Sequence, residues 1–82
     1  MPINVTDLHN QPSNDYSDLM FADRLRAVRK ARGMKQRDLA VKAGVTANQI
    51  SEYERGVRTP GTAILEWICK ALNVSASDLL GF

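Results

Sequence analysis

Eight of the chain's eleven basic residues stand between positions 24 and 42: Arg24, Arg26, Arg29, Lys30, Arg32, Lys35, Arg37 and Lys42, with Asp38 the one acid among them. Positive charge concentrated in this way attracts polyanions, and phosphate backbones are the commonest of these. A solvated helix face uses the same residues, so charge alone does not decide. Other chemistry finds little support. His9 is the single histidine and Cys69 the single cysteine, which argues against a thiolate zinc site, a disulfide framework and a Ser-His-Asp arrangement. Gly33-Met34-Lys35 is too short for a glycine-rich phosphate loop, and no nucleophile–base pair or metal-ligand set stands out. The expectation is a binding protein and not an enzyme, with no cofactor and no metal.

The elements that must position these residues belong to one domain, since the chain has 82 residues, 44% of them hydrophobic and 24% charged. Its net charge of +2 is unevenly spread. Residues 1–18 carry Asp7, Asp15 and Asp18 and no base. Residues 19–82 hold all eleven basic residues against six acids, a net of +5. Pro2, Pro12 and the lack of a sustained apolar period make 1–18 a flexible acidic arm, with His9 exposed on it. That arm lacks the basic start and apolar core of a secretory signal. No run of 18 apolar residues predicts a membrane span. A single unpaired cysteine fits a reducing compartment, and the expected location is the cytoplasm.

Within 19–82 the apolar residues repeat at three and four, the helical period, and no useful strand alternation occurs. Phe21, Leu25 and Val28 define a first helix over about 21–32, stopped by Gly33. A second helix spans 36–43 with Leu39, Ala40 and Ala43 inward, and Gly44 ends it. Thr46 is the N-cap of a third, 47–54, which turns Ile50 and Tyr53 inward. After the turn-rich loop 55–61, Thr62 caps a fourth helix to Leu72, with Ile64, Leu65, Ile68, Cys69 and Leu72 along one side. Ser75 or Ser77 starts a short fifth helix bearing Leu79 and Leu80. The predicted fold is a compact all-α five-helix bundle.

Residues 36–54 add a specific arrangement. Gly44-Val45-Thr46 is too tight for an antiparallel helix hairpin, so the second and third helices must cross steeply. Close crossing needs a small residue, which Ala40 supplies, and the reversal needs a left-handed backbone position, which Gly44 tolerates. Val45, Ile50 and Tyr53 can tie the third helix down from beneath. The set specifies a helix-turn-helix.

At this level the sequence resembles the helix-turn-helix proteins of the Cro/repressor (XRE) type, which include the phage lambdoid repressors and Cro proteins. The resemblance covers about 20–80, through Phe21-Ala-Asp-Arg-Leu-Arg, Gly33-Met-Lys-Gln, Ile50-Ser-Glu-Tyr-Glu-Arg-Gly, Ala71-Leu-Asn-Val and Asp78-Leu-Leu. It implies a lambda repressor-like DNA-binding domain over 19–82, acting as a transcriptional regulator that binds palindromic operators as a homodimer. It further implies that Ala47, Asn48, Ser51 and Glu52 read bases. Asn48 suits adenine, Ala47 a thymine methyl at most, and Glu52 the cytosine amino group. Gln36, at the start of the second helix, falls where the family bonds a DNA phosphate, and a helix N-terminus is an anion site on physical grounds. Lys35, Arg37, Thr46, Gln49, Arg55 and Arg58 are placed for phosphate or base-edge contacts, although Gln49 and Ser51 also fit bland roles as a cap and a small exposed residue. Arg29 and Glu54 match an inward-facing structural ion pair.

Trp67 fits the core, or else a homodimer surface with Leu79, Leu80 and Phe82, where the C-terminal region is more apolar than an exposed end needs. No small-molecule ligand is indicated. An alternative is an antitoxin or adaptor that uses the same bundle to bind a protein, with the acidic arm folding on that partner. The sequence ends just after the fifth helix, which fits either a small Cro-like protein or the DNA-binding domain of a longer repressor.

Overall fold

The first helix, α1, spans Pro12–Ala31, starting nine residues earlier than the apolar period predicts. Local chemistry favours the earlier start: proline is pre-organised for the first helical position, and Asp15 follows within the first turn, at the positive end of the helix dipole. The computed structural model describes the backbone of residues 12–81 and the side chains of 20–81. His9 and Phe82 lie outside the described residues.

The remaining helices are α2 (Gln36–Ala43), α3 (Ala47–Glu54), α4 (Thr62–Leu72) and α5 (Ala76–Leu80). Every regular element among the described residues is helical, in the predicted order. Thr46 caps α3 and Ser75 caps α5. Thr62 does not cap α4: it is the first helical residue, and Gly61 before it is the N-cap, with no side chain to offer.

α2 packs on α3 and α4, while α1 packs on α3 and α5. Leu25, Leu39, Ile50, Ile68, Leu72 and Leu79 are fully buried where these helices meet, each worth about 1.5–3 kcal/mol of burial. Ala40 and Ala43 are buried on α2, and Tyr53 sits beneath α3 with Val45 packed against the same cluster. A small residue at 40 lets the α2 backbone come close, and Gly44 reverses the chain with φ +77°.

Four helices end alike. The N–H groups of Met34, Val45, Val57 and Val74 donate to the carbonyls of Arg29, Ala40, Glu52 and Cys69 respectively, at 3.0–3.1 Å. The residue before each of them takes a left-handed conformation: Gly33, Gly44, Gly56 and Asn73. This is the Schellman closure, which satisfies carbonyls that a helix end otherwise leaves open.

Candidate nucleic-acid interface

Beneath the helix-turn-helix lies a buried charge network. Arg29 of α1 is 8% exposed and Glu54 of α3 is 3% exposed. Arg29 Nε donates to Glu54 Oε2 at 2.5 Å and its Nη2 to Oε1 at 3.0 Å, a two-point contact of guanidinium on carboxylate. Its third arm, Nη1, donates to the Met34 carbonyl at 2.8 Å. Gln36, the first residue of α2, donates its side-chain amide to Glu54 Oε1 at 3.1 Å. One carboxylate thereby fixes the end of α3 to α1 and to the start of α2.

The two helix starts in the motif differ. α3 is closed by a reciprocal box: Thr46 Oγ1 accepts from the Gln49 N–H at 3.0 Å, and Gln49 Oε1 accepts from the Thr46 N–H at 2.9 Å. Gln49 Oε1 also accepts from the Thr46 hydroxyl at 3.2 Å. The side-chain oxygens of both residues are thus committed to capping, with the Gln49 amide nitrogen left to donate. α2 begins after Lys35, whose ammonium cannot accept a hydrogen bond, so no side chain caps its first amides. Asp38 instead accepts from the Lys35 N–H at 2.9 Å. The start of α2 keeps open N–H groups, the property an anion needs.

On α3, Ala47 and Asn48 are exposed, and Ser51 and Glu52 are half-buried. Lys35, Arg37, Arg55 and Arg58 are all exposed. Glu52 does not stand alone: Arg58 Nε donates to its Oε1 at 3.1 Å.

Two arginines of the basic stretch, for which sequence suggests solvation or long-range attraction only, have structural partners. Arg26 Nη1 donates to the Glu54 carbonyl at 2.9 Å, and its Nη2 meets Asp23 at 2.7 Å. Arg32 Nε donates to the Leu72 carbonyl at 2.8 Å. Each places a cation on the carbonyl end of a helix, α3 and α4 respectively, where the dipole favours it. The three-residue spacing of Arg26 from Arg29 is the signal that could have revealed the first; nothing local marks the second.

The C-terminal assignments need correction. Leu79 is fully buried and belongs to the core, so it is unavailable to a partner. Trp67 is 47% exposed and not a core residue, because the inward face of α4 is filled by Ile68, Cys69 and Leu72. It borders a shallow groove with Val41, Lys42, Ala43, Gly44 and Lys70. Leu80 is half-buried against the core. Burial pushes the Cys69 thiol above its usual range, and the Asp78 and Glu66 carboxylates add to that. Hydrogen bonds from the Ser75 backbone and side chain hold the Asp78 carboxyl below the usual carboxylate range, with help from Arg32.

Among the described residues, no helix is long and apolar enough to cross a membrane. A family profile described as Helix-turn-helix (HTH_3) matches residues 25–79, which contain α2, α3 and the buried ion pair. The chain belongs to the helix-turn-helix family of transcriptional regulators. This helix-turn-helix chain is 39% identical over 60 residues to the HTH-type transcriptional regulator YazB of Bacillus subtilis, covering 73% of this chain and 87% of YazB. It is 31% identical over 62 residues to the antitoxin PezA of Streptococcus pneumoniae, covering 76% of this chain and 39% of PezA. Its fold superposes on the P22 c2 repressor, solved with a synthetic operator, with a TM-score of 0.72 and 34% identity over 74% of this chain and 92% of that one. Several curated helix-turn-helix relatives are longer, and the chain spans 30–50% of their length.

Proposed function

We propose that the protein is a sequence-specific double-stranded DNA-binding regulator, a homodimeric repressor whose α3 reads a palindromic operator in the major groove. The observation that carries this is the uncapped start of α2 packed on α3, whose Ala47 and Asn48 are exposed. The α2 amides and Gln36 take one phosphate, and Lys35, Arg37, Arg55 and Arg58 take others. Asn48 reads adenine, Ala47 touches a thymine methyl, and Ser51 lies within reach of base edges. Gln49 contributes through its amide nitrogen, and Thr46 mainly holds the start of the helix. Exposed Trp67, with Leu80 and Phe82, serves the dimer, so that two copies of α3 meet half-sites about 34–36 Å apart. Residues 19–82 form the DNA-binding domain and 1–18 an acidic segment, whose residues 12–18 begin α1 rather than lie in an arm. Such a protein works in the cytoplasm, where DNA and a reduced Cys69 coexist.

The test is selection of bound duplexes from a random pool at two salt concentrations. A palindromic consensus is expected, with affinity falling steeply as salt rises. Asn48→Ala then loses preference at one position in each half-site, by about 1–3 kcal/mol. Failure to enrich any sequence would overturn this reading. Kinship with the antitoxin PezA supports a second reading, in which the bundle also holds a partner protein. Mass measurement of the DNA complex isolated from cells separates the two, since a protein partner adds mass beyond two copies of the chain.

A further inference from the structure

The carboxylate of Glu52 lies on the helix proposed to enter the groove, where an unpaired negative charge repels phosphates. It is paired. Arg58 Nε donates to Glu52 Oε1 at 3.1 Å, with the Glu52 side chain 22% exposed and that of Arg58 64% exposed. The carboxylate is the inner member of the pair and the guanidinium the outer. The backbone sets this register. Val57 donates its N–H to the carbonyl of Glu52 at 3.0 Å, and Gly56 donates to Tyr53 at 3.2 Å, with Gly56 at φ +74°. This closure folds the chain back over the last turn of α3 and delivers Arg58 beside Glu52. Among the described residues only Nε of Arg58 is engaged, so Nη1 and Nη2 keep their donors for another acceptor.

We infer that Glu52 is a positioning residue for Arg58 and reads no base. The carboxylate holds the guanidinium at the end of α3 before DNA arrives, and the two free nitrogens take a backbone phosphate. A side chain already held loses less freedom on binding than one ordered by the contact itself. The inference rests on the proposed DNA-binding function and replaces the expected reading of cytosine by Glu52.

The test compares the wild type, Glu52→Gln, Arg58→Ala and the double variant, with melting curves to verify that each is folded. Sequence selection and affinity at several salt concentrations are measured for all four. Glu52→Gln is expected to keep the wild-type consensus at every position while weakening all duplexes about two- to fivefold, the scale of an exposed ion pair. Arg58→Ala is expected to lower the log–log salt slope by about one. In the Arg58→Ala background the sign reverses: Glu52→Gln tightens binding, because the carboxylate has lost its cation and repels the duplex. A changed base preference in Glu52→Gln would overturn the inference, as would equal weakening in both backgrounds. If the wild type selects no sequence, sequence-specific function fails by itself, and the affinity cycle on the mixed duplex pool still shows or denies the reversal. Absence of binding to any duplex overturns both.

Discussion

Glu54 is the residue on which the motif depends. Its carboxylate accepts from Arg29 twice and from Gln36 once, and its carbonyl accepts from Arg26. Glu54→Ala leaves the Arg29 guanidinium buried without its counter-charge, which costs about 3–5 kcal/mol in this kind of pair. Urea denaturation measures that loss. A change below about 1 kcal/mol would show that water solvates Arg29 readily. The two members of this pair are legible through the family resemblance, which implies an inward-facing ion pair at their positions. Arg26 is hinted at only by its three-residue spacing from Arg29, and Arg32 by nothing local, since what they hold is set by where other helices end: the Glu54 carbonyl lies 28 residues from Arg26, and the Leu72 carbonyl 40 residues from Arg32. In the role proposed for it, Glu52 acts differently from what its type suggests, for a similar reason. Its type suits cytosine, but the turn that follows supplies a cation first.

The helices themselves are largely written in local signals. α2 and α3 have the predicted bounds because Gly44 and Thr46 mark a stop and a start that need no tertiary help. The early start of α1 at Pro12 escapes a reading based on apolar period, since residues 12–18 show proline and aspartates in the sequence and no helical apolar repeat. Trp67 escapes for the opposite reason: a large aromatic near an apolar stripe suggests burial, yet α4 has already filled its inner face. At Gly44 an added Cβ would meet nothing within 4 Å, so the cost of Gly44→Ala comes from φ +77° alone. That cost is about 1–2 kcal/mol. In thermal melts each kcal/mol lowers the midpoint by about 4–8 °C for a domain of this size. An unchanged midpoint would mean that the turn can relax into a right-handed form.

At the scale of the molecule, acid resistance is tied to the α5 cap. The Asp78 carboxyl is held below its usual range, chiefly by the Ser75 backbone N–H, so the folded state favours the charged form. This contribution is complete above the ordinary aspartate range, near about pH 4, and is lost as pH falls through the lower folded value. Asp78→Asn is therefore less stable at neutral pH and loses less on acidification, which urea midpoints from pH 7 to pH 2 will register. Parallel curves for the two proteins would remove Asp78 from the acid transition. A different consequence follows from the four matching helix ends. An amide near the start of each of four connecting segments, at Met34, Val45, Val57 and Val74, is bonded back into the preceding helix, which limits the slack at that end of each linker. If the proposed function holds, the described helices meet DNA as a ready-cut die with little left to fold. Calorimetry across temperature will show a heat-capacity change that matches the contact area alone, without the excess that accompanies coupled folding.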